Sequence, residues 1–600
     1  MDSMTGRAKT YACGVSQSLS GKSWHWRGGP MDVGASPFPG AGTMDGLLDQ
    51  ILLARGVDRS DLERHRAPTL REFLPDPSLF KDMDKAATRI ADAIVSGEQV
   101  TVYGDYDVDG ATSAALLIRL FDMLGGAADH YIPDRLLEGY GPSGEALVKL
   151  GEEGSTLIVT VDCGAMAFDA LAQAEDAGID VIVVDHHKCA SEMPRAFAMV
   201  NPNRLDEEDE PASHRHMAAV GVAFLLAIAV TRELRARDYF ASRAEPSLIG
   251  LLDLVALGTV ADVAALHGIN RAFVTQGLKV MERRANIGLS ALVDASRLKR
   301  APVSSDLGFA LGPRINAGGR VGEATLGVRL LTTKDREEAA SIAEQLSALN
   351  EDRRAIEREV QEAAEQAVES QHNRSVLIAA SEGWHPGVIG IVAGRLKEKF
   401  GKPALVIAMD AGSGEGKGSG RSIAGVDLGA AIIAAREEGL LVAGGGHAMA
   451  AGLTVSRDRL DRFGEWIDER LQKDIALASA AQRTVVDLAM APGGLTPDLV
   501  NELEAGGPYG VGWPAPRIAV GPVRIVKADI VGNDHLRVIA SGQDGRSFKA
   551  IAFRAASSAM GQGLLYGARE RPVWLVGRAK IDDWGNRPAT ELHLEDAACV

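Results

Sequence analysis

None of the four cysteines, Cys13, Cys163, Cys189 and Cys599, stands in a Cys-x-x-Cys pair. That argues against a thiolate zinc site, and so few scattered thiols suit a reducing cytosol rather than a disulfide framework. The longest apolar run, Met217 to Val230, has 14 residues, too few to span a bilayer and suited to a core helix. No continuous apolar stretch marks the first 30 residues, so the sequence predicts no signal peptide and a cytoplasmic protein without a membrane partner. Neither Gly412–Gly418 nor Gly21-Lys22-Ser23 completes a Gly-x-x-x-x-Gly-Lys-Ser/Thr loop, so ATP hydrolysis is not expected. Aromatics are sparse at 5%, and a net charge of −17 excludes a uniformly basic surface. A local basic groove remains open, because Arg517–Val600 holds twelve Lys and Arg against nine Asp and Glu.

What the chain does have is carboxylate at the ends of apolar runs. Val102-Tyr-Gly-Asp105-Tyr-Asp107-Val-Asp109-Gly110 reads as a strand running into a loop with alternate aspartates. Thr156-Leu-Ile-Val-Thr-Val-Asp162 ends in one carboxylate, and Asp180-Val-Ile-Val-Val-Asp185-His186-His187 in a carboxylate and two imidazoles. In an open α/β sheet ligands bind beyond the carboxyl ends of the strands, so the three runs predict one shared metal site. Gly258-Thr-Val-Ala-Asp262 adds a fourth contributor at the end of an apolar helix. A calcium loop is excluded, since its twelfth position would be Leu116 rather than Glu. N-capping of the next helix accounts for one aspartate, not for the whole set. Carboxylates with imidazole and no thiolate suit Mn²⁺ or Mg²⁺. So many carboxylates in one pocket call for two divalent cations, with Asp162 as the candidate bridge.

Around this site, alternating strand and helix from residue 99 to about 265 is the signature of a mostly parallel sheet. Asp335–His372 contains no Gly or Pro and carries an apolar seam at Ile342, Leu346, Leu349, Ile356, Val360, Ala363 and Ala367, which predicts one long connecting helix. A second α/β unit follows, and beyond about residue 515 short alternating segments with Gly-Asn and Asp-Gly turns predict a small antiparallel barrel. Trp24 and Trp26 are read as packed on their domain. Phe548, Phe553 and Trp584 are possible base-stacking residues, Phe553 being the one placed rather in the core.

The four motifs Asp105-Tyr-Asp-Val-Asp-Gly, Val161-Asp-Cys-Gly, Asp185-His-His and Gly258-Thr-Val-Ala-Asp resemble, in that order, those of the DHH phosphoesterase superfamily. Ile132-Pro-Asp-Arg135-Leu-Leu-Glu138-Gly-Tyr-Gly141 and Gly312-Pro-Arg314-Ile-Asn316-Ala-Gly-Gly-Arg320 narrow the resemblance to its single-strand-specific exonucleases. Gly383-Trp-His-Pro-Gly-Val-Ile-Gly390, Gly418-Ser-Gly-Arg421-Ser422 and Gly444-Gly-Gly-His447 resemble the companion DHHA1 domain, and Pro508–Pro516 the approach to an OB-fold, with Trp513 where the family has Asn. The resemblance implies an α/β chain of two domains, DHH and DHHA1, joined by a long helix and followed by a C-terminal OB-fold β-barrel. Expected boundaries are 1–98 for an extension and leading helices, 99–334 for DHH, 335–372 for the connecting helix, 373–480 for DHHA1, and 481–600 for linker and OB-fold.

It further implies Asp107, Asp109, Asp162, His186 and Asp262 as metal ligands, with the catalytic candidates Asp105 and His187 in or next to that ligand set; His187 could instead orient the scissile phosphate or donate a proton. Arg135, and a glycine-rich loop bearing Arg314, Asn316 and Arg320, are expected to hold phosphate; an ion pair with Glu138 is the alternative for Arg135. Arg421, Ser422 and His447 are expected in an anion nest. The implied activity is 5′→3′ hydrolysis of single-stranded DNA to 5′-mononucleotides in recombination and repair. Implied partners are single-stranded DNA, a single-strand binding protein and a RecQ-type helicase, with the chain a monomer. The alternative within the superfamily is a phosphodiesterase for oligoribonucleotides or cyclic dinucleotides. A catalytically dead strand-binding scaffold would have lost ligands that are all present here.

Overall fold

A computed structural model describes residues 11–28, 45–135, 137–532, 534–567, 571–582 and 589–600. Trp584 lies outside them. The chain forms two compact units, Thr69–Ala480, and Met1–Pro68 together with Ala481–Val600. The stretch ahead of the first sheet is therefore divided. Its helix Met83–Ser96 belongs to the first unit, and the strand Ser23–Trp26 pairs in parallel with Arg483–Val486 in the second. Among the described residues no helix is long and apolar enough to cross a membrane.

The first unit opens on a five-stranded, all-parallel sheet of β1 (Val100–Gly104), β2 (Ala128–Tyr131), β3 (Leu157–Val161), β4 (Asp180–Val184) and β5 (Ala198–Val200). Its order is β2-β1-β3-β4-β5. Every residue of β1 and β3 is buried, which is why both read as unbroken apolar runs. Helices α1 (Val108–Leu124), α2 (Ala219–Ala236), α3 (Leu252–Ala261) and α4 (Gly312–Val321) surround the carboxyl edge. The last is a correction, because the Arg314–Arg320 segment was expected as a loop. Its two glycines are carried inside helical geometry.

The connecting helix α5 runs over Arg336–Val368. Its buried stripe leaves the expected seam halfway along. Asn350, Arg353 and Glu357 are buried, and the stripe ends on Val360, Ala364 and Val368, with Ala363 and Ala367 exposed. A polar centre is stable there because Arg353 Nη1 reaches Glu357 Oε2 at 2.8 Å while its other nitrogens donate to Asn350 Oδ1.

The sheet that follows contains β6 (Leu377–Glu382), β7 (Ala404–Met409), β8 (Glu415–Arg421), β9 (Ala443–His447) and β10 (Ala450–Ser456), with helix α6 (Ile389–Phe400) between the first two. The glycine clusters at 415–420 and 444–446 are strands, not nests. Side chains would crowd there: a Cβ on Gly420 would lie 2.5 Å from Leu405 Cδ2.

In the second unit β11 (Ile518–Val531), β12 (His535–Gly542), β13 (Ser547–Ala552), β14 (Val573–Asp582) and β15 (Ala589–Cys599) close into a barrel through the β11–β14 pairing. Trp24 is fully buried and donates to Asp596 Oδ2 at 2.9 Å, as packing required. Phe548 and Phe553 exchange their expected roles: Phe548 is core and Phe553 is 54% exposed. Trp513 is buried and donates to the Gly506 carbonyl at 3.2 Å.

Candidate metal centre

The strand order 2-1-3-4-5 puts its switch point between β1 and β3, where the connections leave in opposite directions and a crevice opens. Register does the rest. Gly104 pairs with Val161 and Val161 with Val184, so the next residues, Asp105, Asp162 and Asp185, form one row along the sheet edge. Asp162 is the middle of that row and adopts a left-handed φ of 61°. Such a conformation is unusual for a non-glycine residue and recurs at functional sites.

Asp107 caps α1, accepting the N–H groups of Asp109 and Gly110 at 2.8 and 3.2 Å. Capping and ligation are compatible, because one carboxylate oxygen makes both bonds. Asp109, in the first turn of α1, is fully buried and accepts from Ala219 N and Val220 N at the start of α2, at 2.6 and 3.0 Å. Asp262 follows the last turn of α3. Gly258 explains how that helix comes so close: a Cβ there would lie 2.3 Å from Thr112 Oγ1 and 2.9 Å from Asp109 Oδ1.

Three groups of donor atoms, each within 4.8 Å of one another, result: Asp105, Asp107 and Asp162; Asp162, His186 and His187; Asp109, His186 and Asp262. Asp162 and His186 each belong to two, which fits the expected bridging role of Asp162. Nδ1 of His186 lies 3.0 Å from the Met217 carbonyl, which fixes the proton on that nitrogen and turns the Nε2 lone pair inward. That lone pair faces Asp162 Oδ1 at 3.2 Å. His186 Nε2, Asp162 Oδ1 and Asp105 Oδ1 are all buried without a hydrogen-bond partner among the described residues. Buried polar atoms are rarely left so, and acceptors pointed at one another fit a cation.

Burial drives the protonation states. It lifts Asp105 to about 8 and Asp262 to about 7, each helped by the Asp107 charge, and holds Asp109 and Asp162 well above the usual range. His186 falls to about 4 by burial and the neighbouring His187. Between the usual carboxylate value of ~4 and the folded values of about 7 and about 8, the folded metal-free protein holds more protons than the unfolded chain. Its stability is therefore full below the unfolded value and falls as pH rises through that window. Calorimetry of EDTA-treated protein should show the melting temperature dropping from pH 5 to 8, and added Mn²⁺ should reverse the slope. A flat metal-free profile would count against clustered carboxylates.

Asp185 ends its apolar run but stood outside the expected ligand set, with no role assigned to it. It joins none of the three donor groups. Its Oδ1 accepts the N–H groups of His186 and His187 and lies 2.8 Å from His187 Nδ1, and its Oδ2 accepts the Ala165 N–H. Burial opposes its charge, but the His187 contact outweighs it and holds the carboxyl down to about 2. In return His187 rises to about 9 against the pull of burial. Tyr140 was also missed, although it stands inside the quoted Glu-Gly-Tyr-Gly motif. Its hydroxyl donates to the Asp162 carbonyl and lies 3.2 Å from His187 Nδ1. Asp185→Asn should cut turnover by about 10–100-fold, the usual cost of losing a partner that orients a ligand. An alkaline limb that shifts with the loss would mark a change at His187; an unshifted pH profile would reduce Asp185 to packing.

Beside the carboxylates lies a cationic wall. Arg135 sits 4.9 Å from the centre of the Tyr106 ring, and no Arg135–Glu138 ion pair occurs among the described residues. Glu138 instead binds Tyr131 Oη and Asp134 N. Arg320 donates to the Gly387 carbonyl at 3.0 Å. Helix α4 reaches the site because Gly319 has no side chain; a Cβ would lie 2.7 Å from the Tyr106 carbonyl oxygen. Arg421, at the end of β8, bonds Ser419 Oγ at 3.1 Å. Burial and the nearby Arg135 lower both Arg320, to about 10, and Arg421. Asn316 stands one turn before Arg320 on the same face of α4. Arg314 is turned away, holding Ala310 O and Ser347 Oγ. Ser422 is fully buried and donates to Val426 O, and Ser419 is the serine that Arg421 contacts. His447 lines a 320 Å³ pocket with Tyr140, His187 and Lys188.

The DHH family, N-terminal domain matches residues 99–259, the DHHA1 domain 373–473 and the RecJ OB domain 486–596. The single-stranded-DNA-specific exonuclease RecJ of Dickeya dadantii is 38% identical over 518 residues, 83% of this chain and 87% of that protein. The chain belongs to the RecJ family. RecJ of Escherichia coli is also 38% identical, over 82% of this chain and 86% of its own. The crystal structure of Thermus thermophilus RecJ in complex with Mn²⁺ aligns with a TM-score of 0.72 at 29% identity, covering 93% of this chain and 78% of that one. The RecJ fold expected from the motifs, two α/β domains and an OB barrel, is the fold observed.

Proposed function

We propose that this chain is a metal-dependent exonuclease that removes 5′-mononucleotides from single-stranded DNA in the 5′→3′ direction, in recombination and repair. The observation that carries the reading is the convergence of Arg135, Arg320 and Arg421 beside Asp107 and Asp105. Guanidiniums repel one another, and a multiply charged terminal phosphate is the ligand that satisfies three of them at once. A phosphate held there sets the strand end next to the donor cluster.

Two divalent cations, Mn²⁺ or Mg²⁺, held by Asp105, Asp107, Asp109, Asp162, His186 and Asp262, would neutralise the carboxylates and supply an activated water. His187, protonated through Asp185, presents Nε2 for a proton or hydrogen bond to the scissile phosphate. The arginines offset charge developing on that phosphate. Aromatic Phe553 on the barrel suits sequence-tolerant stacking of bases. A single-strand binding protein and a RecQ-type helicase are proposed partners, the chain acting as a monomer in the cytoplasm.

The test is strand degradation with separate 5′ and 3′ labels, in Mn²⁺, Mg²⁺ or EDTA. Early release of the 5′ label as mononucleotide, lost in EDTA, is expected. Cleavage confined to di- or trinucleotides would favour the small-substrate alternative.

A further inference from the structure

A cavity of about 230 Å³ opens between the first turn of α3 and residues 281–302. Two polar side chains line it from inside, Asp253 at 2% exposure and Asn286 at 3%. Of the two, Asn286 is the one left with an unpaired donor among the described residues. Asp253 Oδ1 accepts the Leu254 N–H at 2.8 Å, and no ion pair to this carboxylate occurs among the described residues. Asn286 Oδ1 accepts the Leu289 N–H at 3.1 Å and caps helix Ile287–Ala295. That bond fixes which end of the amide is oxygen and leaves Nδ2 buried with no partner among the described residues. Met281, Leu289 and Val293 supply apolar wall, and the rim carries exposed Lys299, unpartnered among the described residues, with exposed Glu282 and the Asp294-paired Arg284 nearby.

We propose that this cavity binds a guanine nucleotide, its base inside against Asp253 and Asn286 and its phosphate at the Lys299 rim. A carboxylate accepts only, so it selects an edge with adjacent N–H donors. Guanine offers N1–H and the 2-amino group side by side, with O6 next to them as acceptor for Asn286 Nδ2. Adenine has no N1–H and sets an amine where the oxygen is needed, so both buried groups would stay unmatched. The volume suits one purine base and excludes a stacked strand. Asp253 and Asp262 lie at opposite ends of α3, roughly 14 Å apart at 1.5 Å per residue, so the site is separate from the metal centre. The inference does not depend on the nuclease reading.

Titration calorimetry of the full chain with guanosine, GMP, GTP, dGMP, IMP and AMP tests it. GMP should bind at least tenfold more tightly than AMP, with IMP, which lacks the 2-amino group, in between. Asn286→Asp keeps the capping oxygen but sets a second acceptor against O6, and should weaken GMP at least tenfold. Lys299→Glu, on the surface, should weaken GTP more than guanosine. Equal binding of dGMP and GMP would identify the product of strand hydrolysis as a ligand; preference for GMP would point to the ribonucleotide pool. Equal affinity for AMP and GMP, no binding of either, or unchanged GMP binding in both variants would overturn the proposal.

Discussion

Asp162→Ala should lower single-strand hydrolysis by ~10³-fold or more, on the scale of removing a group that stabilises transition-state charge, while strand binding persists. Asp162 is the middle of the carboxylate row and belongs to two of the three donor groups, so its loss opens both. The variant should fold. The left-handed φ of 61° suits Ala less well than Asp, but the carboxylate is held well above the usual range by burial and by Asp109. Removing a buried, repelled carboxyl relieves the metal-free protein, so EDTA-treated variant should melt no lower than EDTA-treated wild type at pH 8. Stabilisation by Mn²⁺ should shrink in parallel with activity. Retained turnover would remove Asp162 from the centre. Lost turnover with a collapsed melting temperature would make it merely structural.

Arg421→Ala should separate two kinds of strand end. A charge-assisted hydrogen bond to phosphate contributes ~1.5–3 kcal/mol, so kcat/KM on 5′-phosphorylated strands should fall about 10–100-fold. Strands ending in 5′-hydroxyl should change little, because they lack the charge that the arginines share. Arg314→Ala is the matched control. That guanidinium is spent on Ala310 O and Ser347 Oγ, and both strand types should respond within about twofold, as for substitutions away from a site. Equal losses on both ends would deny the wall a terminal-phosphate role and leave it to the scissile group.

Much of the centre was legible because parallel strands write themselves as buried apolar runs. Each of the runs ended at its polar residue, and one sheet edge collects all such ends. Asp107 shows the limit. Capping and ligation looked like rivals on paper, yet one oxygen of the side chain does the first and leaves the other for the second. Arg314 and Arg320 show another limit. Read as a loop, both reached the phosphate; on a helix they lie about 600° of rotation apart at ~100° per residue, and only one faces the site. Ser422 and Ser419 differ in the same way along a strand, where odd and even separations decide the face together with the turn that follows.

The sequence alone determined the ligand types, the strands that end in them, the connecting helix and the barrel, because hydrophobic period and turn residues are local. Tertiary structure decided which donors meet. Register placed Asp162 between Asp105 and Asp185. A contact to His187 gave Asp185 a supporting role. The missing side chains of Gly258 and Gly319 let two helices close on the row. Those are contacts between residues far apart in the chain, set by packing distance, and no local pattern encodes a distance.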